Sequence, residues 1–220
     1  GTQADLVMTS DPFWYLELKK NGKLLPYESP AAAGVPQVFS DPDHAFVGAR
    51  MPVLVIGYNS EVYKSDEAPQ SWKDLAAPRF KGKVSMGSPL ESGTQFTAVA
   101  MLSKALGWDF FKQLRAHDLI AAGGNSSVIT RIETRERPIG IVLLENILKA
   151  RSKGSPVAAI YPKEGAIPVM SPIAILASTK QPELAKKAYD WFFTEEAQKA
   201  VVRGWMYSLL DSAKNLIPSH

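Results

Sequence analysis

Ser88-Pro89-Leu90-Glu91-Ser92-Gly93-Thr94-Gln95-Phe96-Thr97 reads as the junction where a strand feeds a helix whose first turn can grip an anion. Ahead of it, Lys83-Val84-Ser85-Met86-Gly87 alternates like a strand after the turn Phe80-Lys81-Gly82. Beyond it, Phe96, Val99, Ala100, Leu102 and Ala105 recur at helical spacing until Leu106-Gly107 stops the run. A helix begins with N–H groups that lack intrahelical partners, and its dipole places partial positive charge at the same point. Ser92, Gly93 and Thr94 add two hydroxyls and a residue without a side chain, so an oxyanion could approach the amides closely. The plainer reading of Ser92 is an ordinary helix cap.

The rest of the composition narrows the function class. A chain of 220 residues with 45% hydrophobic content can bury one large core or two smaller ones. The net charge of +3 is scattered among acids and forms no basic face, which sets nucleic acid aside as a partner. The chain has no cysteine, hence no thiol nucleophile or thiolate metal site, and its composition suits an exported bacterial protein. His44, His117 and His220 stand far apart in no ligand spacing, so neither a metal site nor a cofactor is expected. No apolar run approaches the roughly 20 residues that span a bilayer, and no charged-then-apolar signal segment opens the chain.

Outward from the junction the pattern repeats. Ala4 to Ser10 reads as a strand entering the loop Thr9-Ser10-Asp11-Pro12, which starts a helix over 13–20. Residues 24–43 carry four prolines and read as extended chain and turns. Strands are expected over 45–48 and 53–58, the second apolar enough to be buried on both faces. Arg50 precedes that second strand and is a candidate for balancing ligand charge. Helices are expected at 93–106 and 108–117, and a short strand at 119–122 leads to Gly123-Gly124-Asn125-Ser126-Ser127 and another helix. The apolar strand 139–144 ends at Glu145, a carboxylate at the mouth of a sheet, and strands follow at 157–161 and 168–177. Two helices, 182–193 and one from the capping box Thr194-Glu195-Glu196-Ala197 to Gly204, precede an irregular tail over 205–220. Strands alternating with helices at this rhythm predict an α/β fold of parallel βαβ units. Three loops, Thr9-Ser10-Asp11, Ser92-Gly93-Thr94 and Asn125-Ser126-Ser127, each follow a strand and start a helix, a design suited to an anion with several oxygens.

The order of Ala4-Asp5-Leu6-Val7, Leu24 to Pro30, Gly57-Tyr58-Asn59, Ser71-Trp72-Lys73-Asp74-Leu75, Phe80 to Val84 and Ser92-Gly93-Thr94 resembles the ferric-ion-type periplasmic solute-binding proteins of ABC importers. Tyr161-Pro162, Ile173 to Leu176, Pro182 to Phe193 and Glu195 to Gln198 continue the resemblance over nearly the whole chain. It implies a two-lobed type II periplasmic-binding-protein fold, with lobe one formed by residues 1–54 plus 172–220 and lobe two by 55–171. Iron-binding members carry adjacent tyrosines after the strand that corresponds to 139–144, where this chain has Glu145-Asn146. The branch that binds phosphorylated organic anions is similar at Ser92-Gly93-Thr94 and at the serine loop. Roughly two βα units that precede Ala4 in the family have no counterpart in this sequence, which is then either a fragment or a reduced member; in a reduced member lobe one's sheet edge is expected to be covered by a homodimer or by the chain's own tail over 205–220.

The resemblance therefore implies an extracytoplasmic protein that captures a small anionic solute, a phosphorylated sugar or glycerate-like compound, and delivers it to an ABC transporter permease. Its location would be the periplasm, or the outer face of a membrane by a lipid anchor in a different host. Ser10, Asp11, Arg50, Ser92, Gly93, Thr94, Asn125, Ser126, Ser127 and Glu145 are the expected ligand-binding residues, and no catalytic residue is expected. Two alternatives stand beside this reading: a ferric-ion or other metal transport protein, and a ligand-sensing or enzymatic domain on the same scaffold.

Overall fold

The structure is a computed structural model that describes residues 4–210. In chain order its regular elements open with β1 (Leu6–Met8), α1 (Pro12–Lys20), β2 (Leu24–Leu25), β3 (Val47–Arg50) and β4 (Val53–Asn59). Then come β5 (Val84–Met86), α2 (Gly93–Leu106), α3 (Trp108–Ala116), β6 (Ile120–Ala121), α4 (Asn125–Glu133), β7 (Ile139–Leu143) and α5 (Leu144–Arg151). The last are β8 (Val157–Ile160), β9 (Ile167–Pro168), β10 (Ser171–Leu176), α6 (Pro182–Trp191) and α7 (Glu195–Arg203). Short 3-10 turns interrupt the chain at Pro30–Ala32, Gln37–Phe39, Lys73–Ala76 and Pro78–Phe80.

Two compact units result. One takes the residues up to Pro52 and from Met170 onward, and the other is the continuous segment Val53–Val169. The sequence reading drew these limits two residues later, after 54 and before 172.

In the continuous unit the strand order is β6-β5-β7-β4-β8, with β9 also on β4. Here the expectation of purely parallel pairing needs correction. Only β5–β6 and β5–β7 pair in parallel, whereas β4 runs antiparallel to β7, β8 and β9. β7 and β8 are joined through α5 and share one direction, as a helical crossover requires, and β4 is inserted between them running the other way. The other unit repeats the device. β10 lies between β1 and β2 and is antiparallel to β1, β2 and β3, so β1 and β2, joined through α1, keep a common direction. In both sheets the inserted strand adjoins a point where the chain changes unit, and local patterning does not report such a partner.

Apolar side chains on both faces of the continuous unit's sheet account for its stability. Leu54, Ile56, Met86, Ile139 and Ile141 pack with Leu102 of α2, Leu114 of α3, and Trp72 and Phe80. The other face meets α4 and α5 at close range. A Cβ at Gly140 would lie 2.4 Å from Val128 Cγ1 of α4, and one at Gly57 3.1 Å from Ile132 Cδ1 of α4 and 3.3 Å from Ile147 Cδ1 of α5, so these glycines set the helix-to-sheet distance. In the first unit Val47, Ala49, Ile173 and Ile175 pack against Tyr189 and Phe193 of the C-terminal helical region. Tyr15, Phe46, Ala174 and Leu176 form a second cluster there.

Three local expectations change. The stretch 24–43 contains the two-residue strand β2, and the strand expected over 45–48 is shifted to β3. The strand expected over 168–177 is broken into β9 and β10 at Val169-Met170, where the chain changes unit. The stretch 205–210 is irregular, as expected, but tied down: Met51 bridges Tyr207, and Leu209 and Leu210 are buried in the first unit's core. Residues 211–220 of the expected irregular tail lie outside the described residues.

Candidate functional site

Because β5, β6 and β7 share a direction, the chain leaves all three at the same end of the sheet. The exits lead to α2, α4 and α5, whose N-termini therefore gather at the carboxyl ends of parallel strands, where open α/β sheets hold ligands. Each helix start contributes polar groups from a different stretch of sequence, and side chains join them.

Ser92 is the N-cap of α2 in extended geometry, but its hydroxyl makes no capping bond. Its Oγ lies 3.0 Å from Thr94 Oγ1 instead. The Ser92-x-x-Gln95 spacing matches a capping box, yet Gln95 does not reach back to Ser92, whose N–H already donates to Ser88 O at 3.0 Å. Gln95, fully buried, donates through Nε2 to Asn125 Oδ1 at 2.8 Å and to Ile141 O at 3.0 Å. Asn125, first residue of α4, donates through Nδ2 to Thr94 Oγ1 at 2.8 Å and accepts from Leu143 N at 3.3 Å. The structure thus brings Ser92, Gly93, Thr94 and Asn125 together. It adds Gln95, which reads in the sequence as a mere helix former. Asn125, Ser126 and Ser127 stand inside the first turn of α4, with Gly124 as the cap, and not in the loop ahead of it. Ser126 is exposed, and Ser127 packs over Gly123, whose φ of 66° leaves no room for a side chain: a Cβ there would lie 2.4 Å from Ser127 Oγ. Glu145 is half-buried in the first turn of α5.

The expected residues of the first unit form a separate cluster. Asp11 is occupied in holding α1, its Oδ1 accepting from Phe13 N and Trp14 N at 3.1 and 3.3 Å. Ser10 Oγ lies 2.7 Å from Ser171 Oγ, and Ser171 stands opposite Arg50 across β3 and β10. Tyr15 ties the cluster to the sheet, accepting from Thr9 N at 2.8 Å and donating to Pro172 O at 2.7 Å. Burial pushes the Tyr15 phenol up, and the bonds to Thr9 and the charge of Arg50 only partly offset this, so the group is neutral at ordinary pH. Two buried polar atoms here, Thr9 Oγ1 and Arg50 Nε, have no hydrogen-bond partner among the described residues. Sequence reading named Ser10 and Arg50, with Thr9 in the same loop, and missed Tyr15 and Ser171, because the register of β3 on β10 decides their neighbours. Among the described residues no group of three or more His, Asp or Glu side chains could hold a metal ion, and no helix is long and apolar enough to cross a membrane.

Residues 2–218 match the family described as bacterial extracellular solute-binding protein. The chain belongs to that family. A probable ABC transporter periplasmic-binding protein of Sinorhizobium fredii is 26% identical over 208 residues, covering 90% of this chain and 58% of its own length. A putative 2-aminoethylphosphonate-binding periplasmic protein of Salmonella paratyphi A is 24% identical over 211 residues, covering 90% and 60%. The chain thus spans well under two thirds of the curated relatives it matches. Among solved structures, the periplasmic binding protein P5PA superposes with a TM-score of 0.83 at 27% identity, over 97% of this chain and 71% of that one. AfuA of Actinobacillus pleuropneumoniae with fructose-6-phosphate bound gives 0.84 at 24%, over 97% and 71%. Iron-bound HitA of Pseudomonas aeruginosa gives 0.83 at 22%, over 96% and 71%. The fold is that of the type II periplasmic binding proteins. Members of this family bind small solutes outside the cytoplasm and work with ABC transporter permeases.

Proposed function

We propose that this chain binds a small anionic solute bearing a phosphate, phosphonate or carboxylate group and delivers it to an ABC importer without chemistry of its own. The observation that carries the reading is the gathering of the α2, α4 and α5 starts at one sheet end, with the Ser92–Thr94 hydroxyl pair not engaged in capping. N–H groups of the first turn of α2, together with that pair, form one set of donors to the anion. Ser126 and Ser127 of α4 form a second set, and Glu145 accepts from ligand hydroxyls or amines. The first unit holds a separate candidate set, in which Ser10, with Thr9 and Ser171 beside it, offers hydroxyls and Arg50 offers positive charge. The role of Asp11 is to fix the helix that follows Ser10. Support for the ligand class comes from the phosphonate-binding and fructose-6-phosphate-bound relatives.

Native mass spectrometry of the purified protein, followed by calorimetry with 2-aminoethylphosphonate, fructose 6-phosphate, inorganic phosphate and ferric citrate, tests this. Micromolar or tighter binding of an organophosphorus anion is expected. A visible charge-transfer band with ferric citrate, and no binding of the other three, would establish the metal-transport reading instead.

The same proposal extends to assembly. Among the described residues β1 pairs only with β10, and its Leu6, Val7 and Met8 are half-buried. Phe13 at 49% and Leu16 at 53% exposure add apolar surface on α1. A second copy covering this edge gives a two-fold dimer. Sedimentation equilibrium at micromolar concentration decides the matter, and a clean monomer mass rules the dimer out.

A further inference from the structure

The side-chain network at the α2 and α4 starts has a direction, and main-chain groups at its two ends fix it. The Ile141 carbonyl can only accept, so Gln95 must turn Nε2 toward it and toward Asn125 Oδ1. The Leu143 N–H can only donate, so Asn125 must present Oδ1 on that side and Nδ2 to Thr94. Both anchors belong to β7. Thr94 Oγ1 therefore accepts from Asn125, and its own proton must go elsewhere. Ser92 and Thr94 hold two hydroxyl protons and share one bond between them, and among the described residues neither has another acceptor. Whichever oxygen donates within the pair, one O–H is left over for a ligand.

The position of Gln95 shows a cost that packing alone does not explain. Its side chain is fully buried, and Oε1 has no hydrogen-bond partner among the described residues. A methionine of similar shape would avoid an orphaned carbonyl oxygen. The side chain is also closely confined: a Cβ on Gly87 would fall 2.7 Å from Gln95 Cγ and 2.9 Å from Gly123 O.

We propose that Gln95 is a positioning residue which, acting through Asn125 and anchored on Ile141 and Leu143, locks the Ser92–Thr94 pair as a net hydrogen-bond donor and so selects an acceptor-only oxyanion face over one that carries its own donors. The ligand group that fits is a fully ionised phosphonate, phosphate monoester or sulfate, whose oxygens only accept. This deepens the anion-binding reading and rests on it for its functional consequence. The orientation of the network itself does not depend on a ligand.

The test uses the full chain and two substitutions that keep side-chain volume, Gln95→Glu and Gln95→Met. A carboxylate at position 95 places an acceptor against Asn125 Oδ1, and a flip of the Asn125 amide relieves this by giving up the bond from Leu143 N–H, after which both hydroxyl protons are taken up inside the network. In 15N-edited NMR spectra of the ligand-free wild type, the Gln95 and Asn125 side-chain amides should exchange slowly. Contacts should place Asn125 Nδ2 beside Thr94, and Gln95→Glu should reverse them while the backbone pattern is retained. Calorimetry with sulfate should then show a loss of about tenfold or more for Gln95→Glu and a smaller loss for Gln95→Met. A packing role predicts the opposite order, because glutamate is the closer match in shape. Gln95→Glu leaving the Asn125 amide unmoved would overturn the proposal, as would wild-type amides exchanging at the rate of exposed side chains. Should Gln95→Glu not fold, the wild-type exchange and contacts decide alone. Wild-type protein that has the oriented amides but binds neither phosphate nor sulfate would refute the anion-binding reading while leaving the network's orientation standing.

Discussion

The two polar clusters differ in how their groups are satisfied. At the carboxyl ends of β5, β6 and β7, side chains from α2 and α4 bond one another and β7 in a connected network, which leaves Gln95 Oε1 without a partner among the described residues. Around β1 and β10, Thr9, Ser10, Tyr15, Arg50 and Ser171 also gather, but Thr9 Oγ1 and Arg50 Nε lack partners among the described residues. A closed network holds its donors in place before any ligand arrives. An open cluster pays a desolvation penalty in the free state and gains partners on binding. The first arrangement is pre-organised by its own bonds, and the second leaves buried donors in need of a partner.

Breaking the closed network should have the largest effect. Asn125→Leu leaves the Leu143 N–H and part of the Gln95 amide without acceptors, and should lower stability by about 3 kcal/mol in urea unfolding monitored by circular dichroism. Tyr15→Phe in the open cluster strands Thr9 N and Pro172 O and should cost about 2 kcal/mol. A Tyr15 loss larger than the Asn125 loss would reverse the comparison. Both Tyr15 and Tyr189 have pKa values raised by burial, so the stability they favour is present below the unfolded tyrosine value of about 10 and is lost as pH rises through the folded values. Melting temperatures from pH 8 to 11.5 should fall only above about pH 10. A decline that begins near neutrality would assign the loss to other groups.

Affinity effects come next. Thr94→Val removes the hydroxyl that accepts from Asn125 and should weaken anion binding by about 1 to 2 kcal/mol in calorimetry. Unchanged affinity with an intact fold would detach the cluster from the ligand. Arg50→Gln should cost a few-fold in affinity at low salt and less at high salt, because a partly exposed charge is screened. Smallest is Glu145→Ala, which should weaken binding of a hydroxylated or amine-bearing ligand by about threefold and leave inorganic phosphate unaffected. Equal losses for both ligands would make Glu145 a helix-start carboxylate alone.

Much of this was legible in the chain, and the rest fails for definable reasons. The strand-to-helix junction at Ser92-Gly93-Thr94 and the second at Gly123-Gly124-Asn125 are visible because turn residues and periodicity are local. The antiparallel direction of β4 and β10 is not readable locally, since the partner that separates two parallel-running strands comes from elsewhere in the chain. Ser92 looked like a cap and is not one through its side chain, because Thr94 competes for its hydroxyl. Gln95 carried no signal at all: a glutamine in the first turn of a helix is ordinary, and only the approach of α4 and β7 gives its amide two acceptors. Arg50 was noticed for its charge, but its place opposite Ser171 depends on a register shift between Ser171 and Pro172.

The ends of the continuous unit bear on how the gene for such a chain could be handled. Val53 pairs with Pro168 and Leu54 with Ile167, so the segment starts and stops on neighbouring strands of one sheet. Its apolar cluster, from Leu54 to Val169, is drawn entirely from within those limits. Residues 53–169 are therefore a cassette with its two cut ends side by side. It can be joined head to tail by a short linker for circular permutation, or inserted into a surface loop of another protein.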